Sequence, residues 1–132
     1  MTVEWSAEIA FTPKAIENQV PTKAGVYQIL QSAEYPRYEG TTRVLKIGQS
    51  DSNLKDEISN HFVRHTVANR LARVRNRASI NITVIFAVTP DGQAANTESE
   101  LLRQFEDEHW DLPVLNSKRG YARNQDVHYK RA

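Results

Sequence analysis

Gly25-Val26-Tyr27-Gln28-Ile29-Leu30 and Arg43-Val44-Leu45-Lys46-Ile47-Gly48 are the two stretches whose reading decides the fold. Both are rich in residues whose side chains suit a pleated, half-buried surface. A polar segment from Gln31 to Thr42, with Pro36 and Gly40 inside it, separates them and predicts an antiparallel hairpin. That segment is either a recognition loop or an ordinary connector.

Upstream, Thr12 before Pro13 reads as an N-cap and first helical residue, with Ala15, Ile16 and Val20 giving a short helix that stops at Pro21. Downstream, Gln49-Ser50-Asp51-Ser52 offers caps to a helix in which Leu54, Ile58 and Phe62 recur every fourth residue. A second helical segment is expected from Thr66 to Arg77. Ile80, Ile82, Val84, Phe86 and Val88 alternate with Asn81, Thr83, Ile85 and Ala87, the period-2 signature of a strand with one apolar face. Thr89-Pro90-Asp91-Gly92 then makes a turn, and a helix is expected to open near Thr97, with Glu100 completing a capping box. Leu101, Leu102, Phe105 and His109 form its buried stripe.

At 132 residues the chain holds one core and is too short for two ordinary domains. We read residues 1–132 as a single domain with an N-terminal extension (1–20) and a basic C-terminal tail (117–132). The hydrophobic fraction of 39% and charged fraction of 25% are those of a globular protein, and no apolar run approaches the roughly 20 residues of a membrane helix. Glu4 and Glu8 stand where a secretory signal carries a basic region and an apolar core, so a cytoplasmic location is expected. Zero cysteines exclude disulfides, thiol nucleophiles and cysteine metal sites. A net charge of +1 gives little global attraction to nucleic acid, so such binding must rest on how charges are arranged.

Val20-Pro21-Thr22-Lys23-Ala24-Gly25-Val26-Tyr27, followed at a hairpin's distance by Leu45-Lys46-Ile47-Gly48-Gln49-Ser50, resembles the paired half-motifs of GIY-YIG nucleases, with lysine where tyrosine is usual. Asn53-Leu54 through His61-Phe62 is similar to the helix after that motif. Glu98 with Leu101-Leu102, then Pro113 and Asn116, resembles the family's metal-binding helix and following asparagine. The likeness covers Val20 to Asn116. It implies an α+β fold with an antiparallel three-stranded sheet flanked by helices. It also implies hydrolysis of phosphodiester bonds, DNA before RNA, with one Mg²⁺ or Mn²⁺ held by Glu98. In that scheme Tyr27 activates or orients water and an arginine steadies the phosphate. A nuclease domain of this size leaves little room for a recognition module, so a homodimer or a partner protein is expected.

The residues themselves bear on these roles. Glu98 lies three, four and seven positions before Leu101, Leu102 and Phe105, at the end of the core-facing stripe, where a carboxylate needs a cation or hydrogen bonds. The bland alternative, an acid favoured by a helix start, suits Glu100 better. Lys46 is placed to lower the pKa of Tyr27 or to contact phosphate. Gly25 and Gly48 read as positions of close backbone approach or unusual dihedrals. Glu57 stands where the resemblance implies an arginine, and an acid there repels a scissile phosphate. Arg64 is one heptad further on, about 10.5 Å along the axis. His61 is either a donor or base at the site, or a packed surface residue. Asn116 either bonds loop backbone or helps hold phosphate or metal.

Arg70, Arg73 and Arg77 share one helical face opposite Val67, Leu71 and Val74. With Lys118, Arg119, Arg123, Lys130 and Arg131 of the tail they form either a phosphate-binding surface or a solvated face and loose tail. Tyr121 and Tyr129, interleaved with the tail's charges, are placed to stack on bases. Zinc is disfavoured, because His61, His65, His109 and His128 show no ligand spacing. Glu57 keeps open a second function: a catalytically inactive module of the same fold that binds nucleic acid or protein.

Overall fold

A computed structural model describes residues 3–62, 68–75 and 80–116. Four antiparallel strands form one sheet: β1 (Ile9–Ala10), β2 (Gly25–Pro36), β3 (Thr41–Ser50) and β4 (Ile82–Val88), in the spatial order β1-β4-β2-β3. The helices are α1 (Pro13–Gln19), α2 (Leu54–Ser59) with a 3₁₀ turn at Asn60–Phe62, α3 (Ala68–Arg75) and α4 (Ala94–His109). The α+β class and the antiparallel sheet match expectation. The sheet gains a fourth strand over the three expected, because the segment before α1 lays Ile9 and Ala10 against Val84 and Thr83.

The β2–β3 hairpin includes most of the polar Gln31–Thr42 segment, leaving only Arg37 to Gly40 between the strands. Gly40 turns the tip with φ +74°, a dihedral that glycine adopts without strain. Ile29 pairs with Lys46 and Leu30 with Val44, so Leu45 is an extra residue, a β-bulge. Side chains of paired residues share a face, so Tyr27, Ile29, Lys46 and Gly48 lie on one side of the sheet. Gln28, Ile47, Val26 and Gln49 lie on the other.

Each face carries its own helical layer. On the Tyr27 side, Ile16 and Val20 with α2's Leu54 and Ile58 and α3's Leu71 pack on Tyr27, Ile29, Leu45 and Val84. Full burial of each such side chain contributes roughly 1.5–3 kcal/mol. On the far side, α4 packs Leu102 and Phe105 against Ile47 and Leu112. Within residues 1–20, Ile9, Phe11, Ile16 and Val20 pack in this core.

Local chemistry explains the helix ends. The Thr12 hydroxyl accepts from Ala15 N–H, and the Asn53 side chain accepts from Asp56 N–H, both as N-caps. The helix expected from Thr97 instead opens at Ala94. The Thr97 hydroxyl donates back to Gln93 O at 2.8 Å, so it bonds within the helix and does not cap it. Glu98 thus lies a full turn inside α4, and Glu100 pairs with Arg103. Phe62 falls at the end of the 3₁₀ turn, three residues past the end of α2.

Candidate active site

Docking of α2 on the start of β2 builds the site. Leu54 N–H donates to Lys23 O at 2.9 Å and Lys55 N–H to Pro21 O at 3.2 Å, which anchors the helix beside Gly25. A Cβ on Gly25 would lie 2.3 Å from Ala87 O and 2.5 Å from Leu54 Cδ1, so only glycine admits this approach. Leu54 and Ile58 point into the core, and the same stripe carries Glu57 and His61, four residues apart, over Tyr27.

Tyr27, opposite Gly48 on β3 and Phe86 on β4, is completely buried. Its ring lies across β3 at Gly48, where a Cβ would come within 2.3 Å of the phenol oxygen. The hydroxyl donates to Glu57 Oε2 at 3.0 Å and also meets His61 Nε2 at 3.2 Å. His61, 1% exposed, points Nδ1 at Glu57 O at 3.1 Å, and a carbonyl only accepts, so Nδ1 carries a proton. One phenol proton cannot serve two acceptors. Both contacts are satisfied when Nε2 also carries a proton and donates to the phenol oxygen, or when Glu57 donates to that oxygen and the phenol donates to Nε2.

Burial, then the charge and hydrogen bond of Glu57, then the charge of Glu98, push the Tyr27 phenol well above its usual pKa of 10. The expected lowering by Lys46 is overturned: no phenolate forms here near neutral pH. Lys46 shares the face of Tyr27 and is half-buried. Burial lowers its pKa, and the charges of Glu98 and Glu57 oppose that shift.

Glu98, half-buried, comes from α4 on the opposite face, so charges of the two layers meet at β3, the edge strand. Burial raises its pKa from 4.5 to about 7, against the pull of Lys46 and with help from Glu57 and Asp51. It makes no ion pair and no hydrogen bond through its carboxylate with any described residue, Lys46 included. Gln49, on the face that α4 covers, has a buried Oε1 without a hydrogen-bond partner among the described residues.

Asn116 is a structural clamp. Its Oδ1 accepts from Ile47 N–H and its Nδ2 donates to Ile47 O, both at 2.9 Å, while Leu115 N–H donates to Leu45 O at 2.9 Å. These bonds occupy the open edge of β3. The structure therefore joins Tyr27, Glu57 and His61 directly and brings Lys46 and Glu98 within electrostatic reach. Arg70 and Arg73 are exposed on α3 opposite buried Leu71. Arg64, Arg77, Lys118, Arg119 and Arg123, with Val67, Tyr121, Tyr129, Lys130 and Arg131, lie outside the described residues. Glu57 as the partner of Tyr27 escaped the sequence reading. Its position on the Leu54–Ile58–His61 stripe was the available signal.

No helix among the described residues is long and apolar enough to cross a membrane. In comparisons with known proteins, no family model, no curated protein and no solved structure matches the chain.

Proposed function

We propose that this chain is a divalent-metal-dependent endonuclease of the GIY-YIG type that hydrolyses phosphodiester bonds in DNA. The observation that carries the reading is Glu98: a half-buried carboxylate raised to about 7, unpaired among the described residues although Lys46 lies within its field. A carboxylate so placed costs several kcal/mol when charged, and a bound cation removes that cost.

The donor set suits one hard ion. Mg²⁺ and Mn²⁺ take oxygen ligands, usually one or two from protein, and leave the rest to water and phosphate. Glu98 is the carboxylate ligand, and the amide oxygen of Gln49 is of the type such ions accept. Among the described residues no group of three or more His, Asp or Glu side chains is placed to hold a metal ion, so the proposal takes Glu98 as its one carboxylate ligand and leaves the remaining positions to solvent and substrate. When bound, such an ion neutralises phosphate charge and acidifies its water.

The chain's own residues do the rest. Lys46 presents its ammonium on the Tyr27 face and steadies the phosphate oxygens. Tyr27, a neutral phenol at working pH, is completely buried beneath Glu57 and His61 and supports the site from within rather than touching the attacking water. Glu57 and His61 are positioning residues that fix the phenol's rotation. Exposed Arg70 and Arg73 add sequence-independent contacts to the nucleic-acid backbone.

The complete burial of Tyr27 favours a second reading, a catalytically silent module of the same fold that binds nucleic acid or protein. Supercoiled plasmid incubated with Mg²⁺ or Mn²⁺ separates the two. The endonuclease nicks it and Glu98→Ala does not. Salt-sensitive plasmid binding without nicking in the wild type replaces the first reading with the second, and the absence of both nicking and DNA binding defeats nucleic-acid function altogether.

A further inference from the structure

We propose that Tyr38 and Trp110 form a docking platform for an arginine- or lysine-rich peptide of a partner protein. Trp110 ends α4 with φ 59° and ψ 25°, and it is the one non-glycine residue with positive φ among the described residues. Glycine adopts that backbone freely, whereas a side chain there is strained. Burial does not offset the strain, since Trp110 is 63% exposed. Its ring instead stacks on Tyr38, 75% exposed at the β2–β3 hairpin tip, with centroids 5.2 Å apart and planes 21° from parallel.

The platform is held rigid from below. Glu39 N–H donates to His109 O at 3.0 Å, and His109 Nδ1–H donates to Glu39 O at 2.8 Å, locking the tip to the end of α4. A ligand therefore meets two aromatic faces already in place, and the entropy of ordering them has been lost on folding.

Charge selects the occupant. Glu39, next to Tyr38, and Glu108, two residues before Trp110, are both exposed, Glu108 lying 3.9 Å from His109 Nε2, and the C-terminal end of α4 adds the negative pole of its dipole. The nearby cation, Arg37, is occupied: it pairs with Asp111 at 3.3 Å and donates to Leu112 O at 2.7 Å. A negative rim around aromatic faces repels phosphate backbones and attracts guanidinium and ammonium groups, which stack on such rings. The face thus differs in sign from the exposed Arg70 and Arg73 of α3.

Fluorescence anisotropy of a dye-labelled oligo-arginine peptide, run beside an oligo-glutamate peptide and a single-stranded oligonucleotide, tests this on the full chain. The arginine peptide is expected to bind, more weakly as salt rises, and the glutamate peptide is not; any oligonucleotide bound through Arg70 and Arg73 should be held equally well by the variants that follow. Trp110→Gly, which also relaxes the backbone, and Tyr38→Ala each weaken binding about tenfold or more without a large fall in melting temperature. The double variant Glu39→Gln/Glu108→Gln, which keeps both rings, weakens it as well. No binding of the arginine peptide, or unchanged affinity for it in these variants, overturns the proposal. A large drop in melting temperature with unchanged affinity would make the pair a staple between hairpin and helix. None of these results bears on plasmid nicking.

Discussion

Replacing Glu98 by Gln removes a carboxyl whose ionisation the fold resists. The folded pKa is about 7 against an ordinary 4.5. The folded state therefore holds this proton more tightly than the unfolded chain does. Stability from that group is complete below pH 4.5 and is lost as pH rises through 7. From 4.5 to about 7, at about 1.4 kcal/mol per pKa unit, the loss is about 3.5 kcal/mol, and water on the exposed side of the carboxyl brings it to about 2 kcal/mol. Glutamine has no proton to lose, so Glu98→Gln escapes the penalty. Melted in EDTA at pH 5 and at pH 8, variant and wild type should differ little at the lower pH. At the higher pH the variant should melt higher by roughly 8 °C. Titration elsewhere is common to both proteins and cancels in the difference. Adding Mg²⁺ at pH 8 should raise the wild type toward the variant and leave the variant unmoved. A difference that stays constant with pH, or that shifts in favour of the wild type, would refute the assignment of Glu98 as an unpaired, half-buried acid.

Gly48→Ala puts a Cβ 2.3 Å from the Tyr27 hydroxyl, and the buried ring has no space to retreat into. Urea denaturation should show a loss of about 1–3 kcal/mol, and plasmid nicking should fall with it because the phenol leaves Glu57 and His61. Asn116→Ala breaks two hydrogen bonds to Ile47 and reopens the edge of β3. A loss of about 1–2 kcal/mol is expected, with faster amide exchange at Ile47.

The hairpin, β4 and the caps at Thr12 and Asn53 were legible because each is a local signal: a run of strand formers, a period of two, an oxygen before a helix. β1 was not, because two residues carry no period and their pairing with Val84 and Thr83 is made across more than seventy positions. The start of α4 was misplaced because a threonine hydroxyl serves either as a cap or as a donor to the preceding turn, and Gln93 O decides which. At the site, Tyr27 and Lys46 stood out only through the resemblance to the paired half-motifs, and Glu98 through that resemblance together with its place at the end of the apolar stripe. The bond between Tyr27 and Glu57 depends on where α2 docks, which the carbonyls of Pro21 and Lys23 determine; the stripe of Leu54, Ile58 and His61 gives the face of Glu57 but not its partner.

That bond changes the meaning of an acid at position 57. An unengaged Glu57 would present its full charge to an incoming phosphate, whereas here Oε2 accepts from Tyr27 and the carboxylate is turned toward β2. Its field still reaches Glu98, which it raises together with Asp51, while Lys46 alone pulls the other way. With Glu98 and Asp51 ionised and one proton shared in the Tyr27–Glu57–His61 unit, the carboxylates still outnumber the cations by one charge, and a phosphodiester would add another. A divalent ion cancels that excess. On the proposed function, phosphate would be repelled from the metal-free site and admitted with the ion, so DNA contact with Lys46 should require the cation, while contact with Arg70 and Arg73 should not. Binding measured in EDTA and in Ca²⁺, which fills such a site with oxygen ligands, separates these contributions. A Lys46→Ala variant should lose affinity in Ca²⁺ and none in EDTA, and an equal loss in both would place Lys46 outside the metal's influence.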